Sequence, residues 1–317
     1  MRVVAPLMLT LALIAVATAP VAAGRRPVLP PATGPEPLTE SQADSLEQAI
    51  QLDRTRTEEW LKNGPNSYLA TVNRVDFGDA TRLVVGSAAD CDVRIDDPAM
   101  PPHALEVKVV GDAFRVRSLV DTLRFGWNAL PYHEAELPPT SLTLGRWSLR
   151  LSHQRFPSII VFDPRSSRFA TWHGLDYYPV DLSLRFVAPL TPAPHPDTTI
   201  IMSTRGNARR AVRVGWFDLL VHKHAVRLEA HRLLEPGVDE GSLSVFFRDA
   251  TTGTETYAVG RYVDPERQPD GRWLVDFNSA YNPACAFSPH YNCPIPSKAN
   301  TLKVAVEAGE KDSHYAH

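Results

Sequence analysis

Five residues with carboxylate, hydroxyl, amide and guanidinium side chains could share a site. Glu255, Tyr257 and Arg261 have the same parity in a segment that is predicted to be a strand, so their side chains would lie on one face. Asp276 and Asn278 share a face of the next predicted strand. If the two faces meet, they form a polar stripe that could hydrogen-bond a ligand. The same pattern is typical of a solvated sheet face or of a buried structural network.

Arg261 is the residue of this stripe that most needs a partner. A guanidinium that is buried without one costs several kcal/mol. We expect Arg261 to pair with at least one of Glu255, Asp276 and Asn278. Asp276 is favoured, because Glu255 lies six residues along the same predicted strand, about 20 Å away.

A second polar cluster contains His173, Asp176, Tyr177 and Tyr178. A histidine beside a carboxylate could act as acid and base, although such clusters are more often hydrogen-bonded turns. The complete candidate network, for ligand binding or for structural support, is His173, Tyr178, Glu255, Tyr257, Arg261, Asp276, Asn278, Tyr281 and Asn282.

Two of the three cysteines, Cys285 and Cys293, are eight positions apart in a segment rich in Pro, Asn and Tyr. We predict a disulfide between them, which would stabilise the fold by up to about 2–3 kcal/mol. A metal site with His290 is the alternative, but it lacks a visible fourth ligand. Cys91 is predicted to be a buried, inert thiol.

No standard motif indicates a metal or a cofactor. His222 and His224, with His231 in the following strand, could begin a metal site, but a solvated hairpin tip explains them better. The sequence contains no nucleophile elbow, no phosphate-binding glycine loop, no zinc-protease motif and no dinucleotide fingerprint. We therefore predict no metal and no cofactor, and the catalytic residues of any enzyme stay undefined.

The first residues predict export to a secreted or periplasmic location. Arg2 precedes a short apolar run from Leu7 to Ala19, and small residues end at Ala23, so cleavage is expected before Gly24. Removal of residues 1–23 changes the net charge from −3 to −4. A chain with this net charge is not expected to carry a basic surface that binds nucleic acid. No second apolar run reaches membrane-spanning length, so we expect no membrane span in the mature chain.

One helix and two β regions follow from the local patterns. A capping box at Thr39 and helical spacing of apolar residues predict a helix that ends at Gly64. The predicted organisation is a signal peptide (1–23), a proline-rich linker (24–38), the helix (39–64), a β-sandwich (65–152), a C-terminal β domain (153–311) and a disordered tail (312–317).

Short connections between the predicted strands indicate antiparallel pairing. The predicted strands of the sandwich are 83–85, 93–95, 105–110, 114–116 and 142–151. Those of the second region are 156–162, 182–188, 199–204, 209–214, 216–221, 226–234, 243–248, 254–262, 273–277 and 302–306. A long loop, 278–300, interrupts the second region, and loops of that length tend to be functional or cross-linked.

Residues of about 40–311 resemble the family known as domain of unknown function 1684. The resemblance rests on Glu59-Trp-Leu61, on Trp172 to Asp181, on Asp249 to Tyr262, on Asp276 to Phe287 and on Ala308 to Lys311. It implies that 153–311 is the family's core. It implies no activity.

A weaker resemblance relates residues of about 68–151 to forkhead-associated (FHA) β-sandwiches. It rests on Gly86 to Ile95, His103-Ala-Leu-Glu106 and Leu142 to Gly145. In that family an Arg after the first Gly and a Ser before the His bind phosphothreonine. Ser87 and Met100 stand at those positions, so the resemblance implies the fold without phosphopeptide binding.

The predicted fold class is therefore mainly β: an N-terminal helix, an FHA-like antiparallel sandwich and a second antiparallel sandwich or barrel. The predicted function is that of an exported, non-enzymatic binding or structural envelope protein, with a small molecule, a glycan or an envelope protein as partner. The alternative is a hydrolase-like enzyme that uses His173 with Glu255, Tyr257 and Arg261.

Overall fold

The structure is a computed structural model that describes residues 31–313. The predicted signal peptide, the linker before residue 31 and the last four residues lie outside the described residues. One long helix, α1 (Glu40–Asn63), precedes the β regions. The Thr39 side chain accepts the Gln42 amide and the Gln42 side chain accepts the Thr39 amide, so the predicted capping box is confirmed. No helix of the described part is long and apolar enough to cross a membrane.

Residues 71–162 form a sandwich of two sheets. Its strands are β1 (Thr71–Asp76), β2 (Arg82–Gly86), β3 (Val93–Arg94), β4 (Leu105–Val110), β5 (Ala113–Ser118), β6 (Phe125–Trp127), β7 (Leu130–Tyr132), β8 (Glu134–Leu137), β9 (Thr140–Leu144), β10 (Trp147–Ser152) and β11 (Ser158–Phe162). The strand orders are β1-β11-β10-β9-β6-β7 and β3-β2-β4-β5-β8. Neighbours are antiparallel except β2 and β3, and apolar side chains fill the core.

This sandwich differs from the sequence-based expectation in several places, and four of its strands, β1, β6, β7 and β8, have no predicted counterpart. The single strand predicted over 142–151 is a hairpin, because Gly145 adopts a left-handed conformation (φ +61°) that turns the chain between β9 and β10. The strand predicted near 156–162 was assigned to the second region, yet β11 pairs with both β1 and β10. Every residue of β11 is buried, as expected of a central strand.

The second region begins with a short helix, α2 (Arg168–Thr171), and contains three small sheets. Its strands are β12 (Arg185–Ala188), β13 (Thr191–Met202), β14 (Ala208–Val221), β15 (His224–Leu233), β16 (Val245–Phe247), β17 (Arg261–Val263), β18 (Glu266–Arg267) and β19 (Trp273–Asp276). The strand orders are β13-β14-β15, β12-β19-β18 and β16-β17, with all neighbours antiparallel. The described residues are therefore mainly β, as predicted.

Irregular segments replace two predicted strands of this region. Before Arg261 the segment 254–260 forms turns, because hydroxyls of Thr251 and Thr252 donate to the Asp249 carboxylate and hold the chain in a compact loop. Residues 302–306 are also irregular. The predicted long loop is confirmed: 278–300 contains short 3-10 turns and isolated bridges at Tyr281 and Pro294, without a strand.

Candidate functional site

The most buried charged residue of the predicted stripe, Arg261, has a different partner from the one expected. Its side chain is 1% exposed and lies 3.4 Å from the carboxylate of Asp249. It also donates to the main-chain carbonyls of Val306 (2.7 Å), Ala308 and Glu310 (3.1 Å). The expected pairing with Glu255, Asp276 or Asn278 is wrong, because the chain turns at 254–260 and the alternation of a strand does not apply there.

The carboxylate and amide residues of the stripe lie in separate local networks. The Tyr178 hydroxyl donates to Glu255 (3.1 Å). Asn278 donates to Asp276 through both its main-chain amide and its side chain (2.9 Å each), and burial raises the pKa of Asp276. The Asn278 side chain also donates to the main-chain carbonyl of Asp181 (2.9 Å). These contacts fix the end of β19 to the segment before β12.

The aromatic residues and the histidine lie elsewhere. The Tyr281 hydroxyl donates to Asp264 (2.8 Å), and that of Tyr257 donates to the main-chain carbonyl of Cys285 (3.1 Å). His173 is exposed, and in residues 31–313 no hydrogen bond or ion pair joins it to the other predicted site residues. The predicted network is thus not one constellation.

A cleft between α1 and the second region brings together three of the predicted residues, Asn278, Tyr281 and Asn282. We call it the α1 cleft. Its volume is about 350 Å³, which lies within the range of small-molecule sites. Its walls are mostly apolar and aromatic: Leu46, Ala49, Ile50, Asp53, Arg54, Thr57, Trp60, Leu61, Tyr68, Tyr177, Asn278, Ser279, Ala280, Tyr281, Asn282, Phe287 and Glu310.

Arg54 is the cationic group of the α1 cleft. Its residue is 8% exposed, and one terminal nitrogen donates to the main-chain carbonyl of Tyr178 (2.9 Å). Its guanidinium carbon lies 4.5 Å from the centre of the Tyr177 ring. Its other terminal nitrogen and Nε are buried and have no hydrogen-bond partner among the described residues. Burial lowers the pKa of Arg54, although a guanidinium stays charged in proteins.

Glu310 and Asn282 add acceptors to the same cleft. The Glu310 carboxyl is buried and accepts a hydrogen bond from the main-chain amide of Asn282 at 2.8 Å. Burial raises the pKa of Glu310 to about 7, more than the nearby guanidinium groups of Arg261 and Arg54 lower it. The Asn282 side-chain oxygen has no partner within the described part of the chain. The cleft therefore offers unpaired donors and acceptors inside an apolar wall.

Sequence reasoning missed Arg54 and Glu310. A signal for Arg54 was available, since it lies four and eight positions after Ile50 and Leu46 and so shares the apolar face of α1. An arginine on the apolar face of a helix indicates either a buried ion pair or a bound ligand. No comparable local signal marks Glu310.

The predicted disulfide is not formed in the structure. Cys285 and Cys293 are free, buried thiols, and the main-chain amide of Cys285 donates to the Cys293 sulfur at 3.3 Å. Cys91 is buried as predicted, and its thiol donates to the Pro102 carbonyl (3.1 Å).

Two histidine groups bear on metal binding. His222 and Lys223 have φ of 47° and 67°, so they form the two-residue turn between β14 and β15, as the hairpin interpretation requires. Within residues 31–313, one trio offers three metal-ligand atoms within 4.8 Å of one another: Asp90, Cys91 and His103. His103 is already engaged, at 3.0 Å from the Asp90 carboxylate.

The loop that would read phosphothreonine in an FHA sandwich is occupied by internal contacts. The Ser87 hydroxyl donates to the Met100 carbonyl at 2.9 Å, and the Met100 side chain packs in the sandwich core. Neither residue supplies a cation for phosphate. The geometry is therefore consistent with the prediction that this loop binds no phosphothreonine, which stays a prediction.

Comparisons with known proteins place part of the chain in a family. A family described as "Protein of unknown function (DUF1684)" matches residues 170–311. The solution structure of an uncharacterized protein from Haloarcula marismortui is 33% identical and covers 46% of this chain and 80% of its own, with a TM-score of 0.37. No curated protein matches.

Two FHA structures also match. One is the FhaA FHA domain in complex with the intracellular domain of Rv3910, and the other comes from work on phosphothreonine-dependent FHA domain interactions. Each is 22% identical with a TM-score of 0.20, and they cover 25% and 26% of this chain and 78% and 75% of their own. Through residues 170–311, the chain belongs to the DUF1684 family.

Proposed function

We propose that this chain is an exported, non-enzymatic protein that binds a small amphipathic carboxylate in the α1 cleft. The observation that carries the proposal is Arg54, whose two unpartnered N–H-bearing nitrogens are buried in the wall of the cleft. Buried donors are normally satisfied, so a guanidinium in this state favours an acceptor from outside the described residues.

The rest of the α1 cleft supports the same ligand class. Trp60, Tyr68 and Ile50 provide an apolar wall for a hydrocarbon portion. The pKa of about 7 leaves Glu310 largely protonated in mildly acidic solution, where it does not repel a ligand carboxylate. A glycan would need more polar groups along the walls, and an envelope protein would need a larger surface.

The hydrolase-like alternative receives no support from the described geometry. Its residues were His173, Glu255, Tyr257 and Arg261. Arg261 is fully enclosed by Asp249 and main-chain carbonyls, and His173 is exposed and unconnected to the others. General acid–base work requires its groups within hydrogen-bond reach of one substrate.

The test of the cleft is calorimetric titration with decanoate at pH 6. We expect binding that weakens about 10- to 100-fold in Arg54→Gln, because hydrogen bonds to a charged partner are worth about 1.5–3 kcal/mol. Arg56→Gln is the matched control, since Arg56 is exposed on the same helix. Unchanged binding to Arg54→Gln, or equal binding of decyltrimethylammonium, would contradict the proposal.

Export is the second part of the proposal. Its support is the composition of residues 1–23, with Arg2, the apolar run and the small residues that end at Ala23. The measurement is the mass of the protein recovered outside the cytoplasm of its host. We expect a chain that begins at Gly24, and a protein that retains Met1 would contradict export through a cleaved signal.

We also propose that export converts the thiols of Cys285 and Cys293 into a disulfide. The support is their contact across the loop 278–300, together with the oxidising conditions that exported proteins meet. Reaction with iodoacetamide in urea without reductant, which exposes any free thiol, should leave both cysteines of the exported protein unmodified. Two alkylated thiols in that protein would contradict the bridge.

A further inference from the structure

Cys285 and Cys293 differ in their access to solvent. Cys285 lines a surface groove of about 590 Å³ together with Thr204, Tyr257, Pro289 and Ile295, and Cys293 does not line it. Both residues are more than nine-tenths buried, at 6% and 7% exposed. The groove is therefore a route by which a small molecule could approach Cys285 but not Cys293.

The surroundings of the Cys285 sulfur favour its thiolate. The Tyr257 hydroxyl lies 3.8 Å from that sulfur, and the Cys285 main-chain amide donates to the neighbouring Cys293 sulfur at 3.3 Å. The hydrogen bond from the Cys293 thiol is the main reason that the pKa of Cys285 is lowered. The same contact, together with burial, raises the pKa of Cys293. One sulfur is thus prepared to attack and its neighbour keeps a proton.

We propose that Cys285 and Cys293 form a thiol–disulfide exchange site for small organic disulfides, in which Cys285 attacks and Cys293 resolves. The inference deepens the disulfide proposed above and is independent of the α1 cleft. Thiol–disulfide exchange needs an accessible attacking thiolate and a second thiol within reach of it.

The reaction balances without a further reactant. The Cys285 thiolate attacks one sulfur of a disulfide RSSR, which forms a mixed Cys285–S–S–R disulfide and releases the first RS⁻. Cys293 then loses its proton and attacks the Cys285 sulfur, which releases the second RS⁻ and forms the Cys285–Cys293 bond. Two protein thiols are oxidised, the organic disulfide is reduced by two electrons, and the two thiol protons end on the two RSH products.

The experiment uses 5,5′-dithiobis(2-nitrobenzoate) as the disulfide and the full chain with Cys91→Ala as the background, so that no third thiol reacts. In the reduced background protein we expect two thionitrobenzoates released per chain and no label retained by mass. Adding Cys293→Ser should give one released and one retained. Adding Cys285→Ser should slow the release at least 100-fold, because the remaining thiol lies away from the groove.

Two controls are needed: one shows that the variants are folded, and the other distinguishes an exchange site from a disulfide that forms without one. Far-UV circular dichroism should match across the variants, and in urea each remaining thiol should react at the same rate. If the background protein retains two labels, both the bridge and the exchange site are wrong, and if it releases no thionitrobenzoate, the exchange site alone is wrong. If Cys285→Ser reacts as fast as Cys293→Ser, the bridge of the proposed function stands and the exchange site is wrong.

Discussion

The two β regions bury different kinds of side chain. The sandwich of β1–β11 is filled by apolar residues such as Phe114 and Phe125, and its ion pair between Arg115 and Glu136 lies at the surface with each side chain 51% exposed. In the second region Arg261 and its partner carboxylate are fully buried. Among the described ion pairs, the two in which both side chains are at most 5% exposed, Arg261–Asp249 and Arg209–Glu235, lie in the second region.

The difference follows from how each region satisfies its backbone. In the sandwich, strand ladders pair the main-chain groups, so side chains are free to be apolar. The segment 302–310 of the second region is irregular, and its carbonyls at Val306, Ala308 and Glu310 accept from Arg261 instead. The buried guanidinium of Arg261 supplies the hydrogen-bond donors that a neighbouring strand would otherwise provide.

The largest expected effect tests this comparison directly. Arg261→Ala should lower the free energy of unfolding by about 3–5 kcal/mol, because it leaves the Asp249 carboxylate buried without its cation and three carbonyls without their donor. Arg115→Ala is the matched change in the sandwich and should cost less than about 1 kcal/mol. Urea denaturation followed by circular dichroism measures both. Equal losses in the two variants would show that the regions do not differ in this way.

The second effect is a pH dependence confined to the second region. The pKa of Glu310 is raised from 4.5 to about 7 in the folded chain, so the unfolded chain releases this proton first as the pH rises. The contribution of Glu310 to stability is therefore complete below pH 4.5 and is lost as the pH rises through 7, by about 3 kcal/mol.

Glu310→Gln keeps the shape of the side chain and removes the titration. Between pH 5 and 7.5 the free energy of unfolding of this variant should fall by about 2 kcal/mol less than that of the unchanged chain. Glu136→Gln, at the surface of the sandwich, is the control and should leave the pH dependence unaltered. If the free energy of unfolding changes with pH equally in Glu310→Gln and in the unchanged chain, Glu310 is not the source of the pH dependence.

A smaller effect should be equal in both regions because it is purely local. The turns Asn128-Ala129 and His222-Lys223 each join two strands with both residues at positive φ. Such turns favour glycine at the second position. Ala129→Gly and Lys223→Gly should each raise the free energy of unfolding by up to about 1 kcal/mol.

Ala135→Gly provides the opposite control for these turns. Ala135 lies within β8, where glycine weakens a strand and should cost about 0.5–1 kcal/mol. Thermal unfolding of the three variants gives the comparison. A loss of stability in Ala129→Gly would mean that the turn does not require a left-handed residue.

The last prediction is that the sandwich shows no phosphothreonine binding. A phosphothreonine peptide should not bind the sandwich, because the Ser87 hydroxyl is held by the Met100 carbonyl and no cation stands in their place. Titration with phosphorylated and unphosphorylated forms of one peptide should give the same result. Micromolar binding that Ser87→Ala abolishes would contradict the prediction.

Local patterns located strands in both regions and missed some in each. The strands β2, β3, β4 and β5 lie where the alternation of apolar residues placed them, because that alternation is what two packed sheets require, whereas β1, β6, β7, β8 and β18 have no predicted counterpart. The strand predicted over 254–262 failed because Thr251 and Thr252 offer Asp249 hydrogen bonds that compete with an extended chain. Because this strand does not form before Arg261, the partner predicted for Arg261 from strand geometry is wrong.

The sequence by itself determined the features that depend on near neighbours. The capping box of α1, the turn at His222-Lys223 and the antiparallel character of the sheets each arise from residues a few positions apart. Only the tertiary structure decided the sites. Arg54 meets the Tyr178 carbonyl across 124 positions and Arg261 meets that of Val306 across 45, and no local pattern specifies which distant segments will pack together.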